Sequence, residues 1–119
     1  FDLEPGELPH LDVALLGMGD DGHTASLFPD TDALDEQEHL VVANHVPHLD
    51  TTRITVTLPV LNAARTVLVL LRGADKAALL AEVLQRSEPH YPIQRVQPDD
   101  GKLIWMIDRP AARGLRTSS

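Results

Sequence analysis

Cysteine is absent from this 119-residue sequence, so no disulfide framework exists. Its absence fits a reducing compartment. No apolar run is long enough to cross a bilayer, and the first residues lack both the basic start and the apolar stretch of a secretion signal. Cytoplasm is therefore the expected location. Positive charge is also scarce, with 10 Lys and Arg against 18 Asp and Glu and a formal net charge of −8. That balance opposes nonspecific attraction to nucleic acid or anionic membrane, and neither is expected as a partner. An anionic substrate would have to meet cations placed locally. The chain begins at Phe1 rather than Met, which leads us to expect that part of a longer protein is missing. What is present, 43% hydrophobic residues, suits one globular domain that buries roughly 60–70% of its unfolded surface.

Along the chain, short apolar runs alternate with helical patterns. Asp12 to Gly17 reads as a buried strand ended by glycine, and His39 to His45 as a second. Arg53 to Thr57 alternates, with Ile54 and Val56 on one face and Arg53, Thr55 and Thr57 on the other. Thr57 can cap a short helix with Pro59 in its first turn. Thr66 to Leu71 is continuously apolar, as expected of a strand covered on both faces. Leu79, Leu80, Val83 and Leu84 form an apolar stripe on a helix between Asp75 and Gln85, and Pro89 and Pro92 stop its continuation. Asp99 to Gly101 marks a turn before a last strand, Leu103 to Ile107, where Trp105 is expected in the core. The pattern predicts an α/β fold with a mostly parallel sheet and helices on its faces, whose ligand site lies beyond the carboxyl ends of the strands.

The loop after the first strand, GMGDDGHTASLFP from Gly17 to Pro29, carries the most chemistry. Gly17, Gly19 and Gly22 formally match a dinucleotide-binding fingerprint, but Asp20 and Asp21 would oppose a pyrophosphate and Pro29 interrupts the helix that should follow. In the other reading the glycines form a tight backbone bringing Asp21 and His23 to the sheet edge. An acid two positions before a histidine can fix its tautomer and prepare it as a general base. The plainer alternative is that His23 caps a turn and both aspartates are solvated. His45, His48 and Asp50 lack helical spacing because of Pro47; Asp30, Asp32 and Asp35 lack the glycine and glutamate of a calcium loop. Ser26 has no nucleophile elbow around it. No metal site is expected.

The run from Asp12 to Pro29 closely resembles the signature of 6-phosphogluconolactonases, and the likeness continues through Arg53 to Thr55, Leu61 to Ala64, Gly73 to Ala77 and Gly101 to Asp108. The resemblance implies a Rossmann-like three-layer α/β/α fold, of which residues 1–119 would be the carboxyl-terminal part of a single domain. The family's amino-terminal half, with its Gly- and Ser-rich phosphate loop and Asp-Glu-Arg segment, has no match here and is the expected partner. The related glucosamine-6-phosphate deaminases carry a glutamate five positions after the histidine, where this chain has Phe28. A phenyl ring can neither orient the imidazole nor share a proton, which favours the lactonase side.

The resemblance further implies hydrolysis of 6-phospho-D-glucono-1,5-lactone without a cofactor, with His23 as the base and Asp21 supporting it. Loop geometry adds the expectation that Gly19 and neighbouring main-chain N–H groups receive charge on the carbonyl oxygen. Lys76, in the first turn of a helix where the dipole disfavours a cation, is the implied phosphate ligand, together with Arg53. Read without the resemblance, Lys76 is an exposed lysine and Arg53 a solvated strand end. A sugar-phosphate isomerase or deaminase, and a catalytically silent sugar-phosphate-binding fragment, are the alternatives. A half-sheet would also leave an edge and an apolar face uncovered.

Overall fold

The computed structural model of the chain describes residues 1–85 and 90–115. Seven elements follow one another: β1 (Ala14–Leu16), β2 (Val41–Val46), β3 (Thr51–Val56), α1 (Leu58–Asn62), β4 (Thr66–Leu71), α2 (Ala77–Gln85) and β5 (Lys102–Ile107). The three most apolar runs form one parallel sheet in the order β1-β4-β5, as an α/β chain of this alternation requires. Single turns of 3-10 helix fill several connections, among them Ala74–Lys76 and Ala111–Gly114. No helix among the described residues is long and apolar enough to cross a membrane.

Register sorts the sheet's side chains by face. Leu16, Val69 and Trp105 align across the strands, and Ala14 aligns with Val67. This face packs onto α1, α2 and the loops in one core with Leu27, Leu34, Leu61, Leu80, Val83, Ile93 and Val96. Trp105 lies against that core as expected. The opposite face presents Leu15, Leu68 and Ile104 in one row and Leu70 beside Met106 in the next. There Leu15 is 61% and Met106 56% exposed. Within the described residues the sheet is thus covered on one side only, although β4 carries apolar side chains for both.

β2 and β3 stand apart as an antiparallel hairpin, a pairing the sequence pattern did not anticipate. Its two faces are not sorted by polarity, and Val56 packs against the core although Ile54 does not. Thr55 and Thr57 are buried, whereas Ile54 is 70% exposed. Thr57 does precede α1, yet its hydroxyl makes no cap and donates instead to the carbonyls of His39, at 2.7 Å, and Leu40. In α2, Leu80 and Val83 are buried while Leu84 faces outward. Pro89 lies outside the described residues.

Candidate active site

Strand direction brings the chemistry together. β1, β4 and β5 run parallel, so the loop after Leu16, the Gly73 turn after Leu71 and Asp108 after Ile107 all emerge at one edge. The loop is cross-tied within itself: Gly22 N–H donates to Gly19 O at 3.0 Å, Gly19 N–H to His23 O at 2.9 Å, and the buried Thr24 hydroxyl to Gly17 O at 2.8 Å. The bond from Gly19 commits the N–H that sequence reasoning assigned to a carbonyl oxygen. What Gly19 contributes is space. A Cβ built there would stand 3.0 Å from His23 Nε2 and closer still to Cε1 and Nδ1. Gly22 is required for another reason, since its φ is +79° and a Cβ would meet Tyr91 Cβ at 2.6 Å.

His23 Nδ1 lies 2.5 Å from Asp21 Oδ1, and the same oxygen accepts the His23 backbone N–H at 3.1 Å. The pair is partly buried. Burial pushes the Asp21 carboxyl up, but the bonds from the His23 ring and backbone outweigh it and hold the group below its ordinary value. An ionised Asp21 requires the proton on Nδ1, which leaves Nε2 as the ring's acceptor. The imidazole lines an open cleft of about 300 Å³ with Gly17, Met18, Gly19, Thr24 and Ala25. A larger hollow of about 880 Å³ lies elsewhere, and its lining, which includes Glu4, Glu7, Asp35 and Glu38, is ill suited to an anion.

Phe28 does what a phenyl ring was not expected to do. It stacks on His23 with ring centroids 4.2 Å apart and planes 23° from parallel, so it orients the imidazole by contact although it cannot share a proton. His48, from the turn after β2, meets Phe28 in a T-shaped contact with ring centroids 5.6 Å apart.

The hairpin pins this loop from behind. Asn44, buried in β2, donates through Nδ2 to Ser26 O and to Thr31 Oγ1, each at 2.9 Å, while its Oδ1 accepts Ala33 N–H. Thr55 Oγ1 accepts Ser26 N–H at 3.1 Å. Here lies the reason for the polar inward face: it satisfies loop backbone that would otherwise be buried unpaired. Arg53 shares that face by register, opposite Asn44, but stays exposed and makes no ion pair among the described residues.

Lys76 closes the 3-10 turn that leads into α2. Its ammonium lies 2.5 Å from Asp20 Oδ1, so the two adjacent aspartates divide their work between the lysine and the histidine. Asp108 braces this turn from β5, accepting the N–H of Gly73 with both oxygens and that of Ala111 with one. Those backbone bonds, from Ala111 first and then Gly73, hold its carboxyl below the ordinary range. The structure thus brings His23, Asp21 and Lys76 to one edge. The sequence reading gave Asp20 no partner and Phe28 no contact with the imidazole, and it passed over Asn44, an amide inside an apolar strand.

Comparison with known proteins gives the family. Residues 2–105 match the family described as glucosamine-6-phosphate isomerases/6-phosphogluconolactonase. The chain is 47% identical over 110 residues to a 6-phosphogluconolactonase of Bos taurus, covering 91% of this chain and 43% of that protein. It is 44% identical over 117 residues to one of Nostoc sp., covering 97% and 48%. The crystal structure of 6-phosphogluconolactonase from Leishmania guyanensis superposes with a TM-score of 0.76 at 35% identity, over 92% of this chain and 44% of that one. The chain spans about half the length of the curated relatives it matches.

Proposed function

The chain belongs to the glucosamine-6-phosphate isomerase/6-phosphogluconolactonase family, and from that premise we propose that it carries the histidine loop of a cofactor-independent 6-phosphogluconolactonase. Its substrate is 6-phospho-D-glucono-1,5-lactone and its product 6-phosphogluconate, within the oxidative pentose phosphate pathway of the cytoplasm. His23 Nε2 takes a proton from water as the water oxygen attacks the lactone carbonyl. Asp21 holds the Nδ1 proton and stabilises the imidazolium that forms. When the ring C–O bond breaks, that proton passes to the departing ring oxygen, and the new carboxylic acid releases its own to solvent. One such base contributes on the order of 10²–10⁴-fold.

Lys76 and Arg53 receive the phosphate, supplying locally the positive charge that the chain lacks as a whole. The single observation that carries the reading is the 2.5 Å contact between His23 and Asp21 beside an open cleft. Residues 1–119 are read as the carboxyl-terminal part of one domain. In this reading the remainder, the unmatched half of the relatives, covers the open sheet face and completes the phosphate socket.

The test is acid release from freshly generated lactone by the full polypeptide, comparing the parent with His23→Ala. Equal rates above the spontaneous background would remove His23 as the base. Lys76→Ala and Arg53→Ala are expected to raise KM by about 10–100-fold, the worth of a charge-assisted bond, and to change turnover little.

A second reading follows from the exposed sheet face and the half-length coverage. On that reading the 119 residues bind sugar phosphate without turning it over. Calorimetric binding of 6-phosphogluconate with no lactone hydrolysis would select it.

A further inference from the structure

Lys76 and Asp20 form an ion pair of unequal partners: the lysine side chain is 17% exposed and the aspartate side chain 89%. An ammonium confined to that degree needs an anionic partner, because leaving it unpaired away from water is costly. The aspartate has no corresponding need. It stands in solvent, where such a pair contributes little and water replaces the lost bond. Asp20 reaches Lys76 only because β1 and β4 are parallel neighbours whose following loops meet.

We propose that Asp20 is a built-in stand-in for the substrate's phosphate, holding the Lys76 ammonium until a stronger anion displaces it. This deepens the reading of Lys76 as the phosphate ligand and rests on it. The consequence is selectivity. A phosphate ester carries about −1.5 to −2 at neutral pH and three acceptor oxygens, so it outcompetes a single carboxylate for the ammonium. An uncharged or singly charged sugar does not. Asp20 is then a specificity-determining residue that sets a threshold against unphosphorylated ligands, and its exposed carboxylate swings away without disturbing Asp21, whose partner is His23.

The experiment is a double-mutant cycle read by binding rather than by turnover. Inorganic phosphate and acetate are titrated into the full polypeptide and its Asp20→Asn, Lys76→Ala and double variants, following the Lys76 side-chain amine by NMR where it is present. Asp20→Asn is expected to bind phosphate about two- to fivefold more tightly, the worth of releasing an exposed pair, and to narrow the preference for phosphate over acetate. The gain should vanish when Lys76 is already alanine. An unchanged or weakened affinity in Asp20→Asn overturns the proposal. So does an equal gain on the Lys76→Ala background, which would mean general repulsion, and so does undetectable phosphate binding by every variant. Asp20→Ser serves as a second substitution should the amide spectrum of Asp20→Asn show misfolding. Because none of these readouts involves hydrolysis, loss of the His23 assignment and loss of this one are told apart.

Discussion

Substituting Gly19 by alanine tests the site geometry with one methyl group. Gly19 has no positive φ, so alanine adds no backbone strain, and its N–H keeps the bond to His23 O. The whole effect is steric. The new Cβ would stand 3.0 Å from Nε2 and nearer to the rest of the ring edge, whereas carbon contacts settle at about 3.5–4.0 Å. The imidazole must withdraw by roughly 1.5 Å to regain that spacing, and Phe28 at 4.2 Å blocks retreat across its face. A 2.5 Å bond to Asp21 cannot survive such a shift. Turnover should fall by about 10²–10⁴, the contribution of a placed base, while overpacking costs about 1–3 kcal/mol of stability. Acid release gives the first quantity, thermal unfolding the second, and 15N shifts of His23 report whether Nδ1 still bears the shared proton. Gly17→Ala is the control for folding and for the His23 signal, since nothing lies within 4 Å of a Cβ there. If Gly19→Ala retains the Asp21-bonded imidazole and parental turnover, the view that this glycine exists to make room for the ring is refuted.

Phe28→Leu removes the stacking partner and should lower turnover about two- to tenfold with little change in KM, read by steady-state kinetics. Asn44→Ala strands three polar groups of the loop and should cost about 2–4 kcal/mol, measured by urea unfolding. Glu36 accepts the backbone N–H groups of Glu38 and His39 together with the His39 ring, bonds that lower its carboxyl to about 2. Its folded-state value is depressed, so its contribution is complete above its ordinary value of 4.5 and is lost as pH falls toward 2. Glu36→Gln should therefore flatten the acid limb of a stability profile over that window, and an unaltered limb would show that the contacts carry no stability.

The parallel sheet was legible because Ala14 to Leu16, Thr66 to Leu71 and Lys102 to Ile107 are short apolar runs bounded by glycine or turn residues. The hairpin was not, because alternation reports which residues differ in polarity and leaves open which of them face inward. Ile54 pointed outward because Thr55 and Asn44 were needed inside to meet loop carbonyls and N–H groups, a demand that arises only in three dimensions. Spacing did place Asp21 on His23. It had no means to pair Asp20 with Lys76, 56 residues away, or to foresee that Phe28 would lie flat on the imidazole. The first depends on which strands become neighbours and the second on how one loop folds back on itself.

The histidine loop takes its rear support from a two-stranded ribbon outside the main sheet, largely through one amide side chain. Ribbons of that size have little independent stability. Heat or denaturant is therefore expected to free the ribbon and release the imidazole before β1, β4 and β5 separate, which loss of the His23 side-chain NMR signal below the main unfolding transition would report. The site then comes apart before the sheet does, and its durability is set by its weakest attachment rather than by the core.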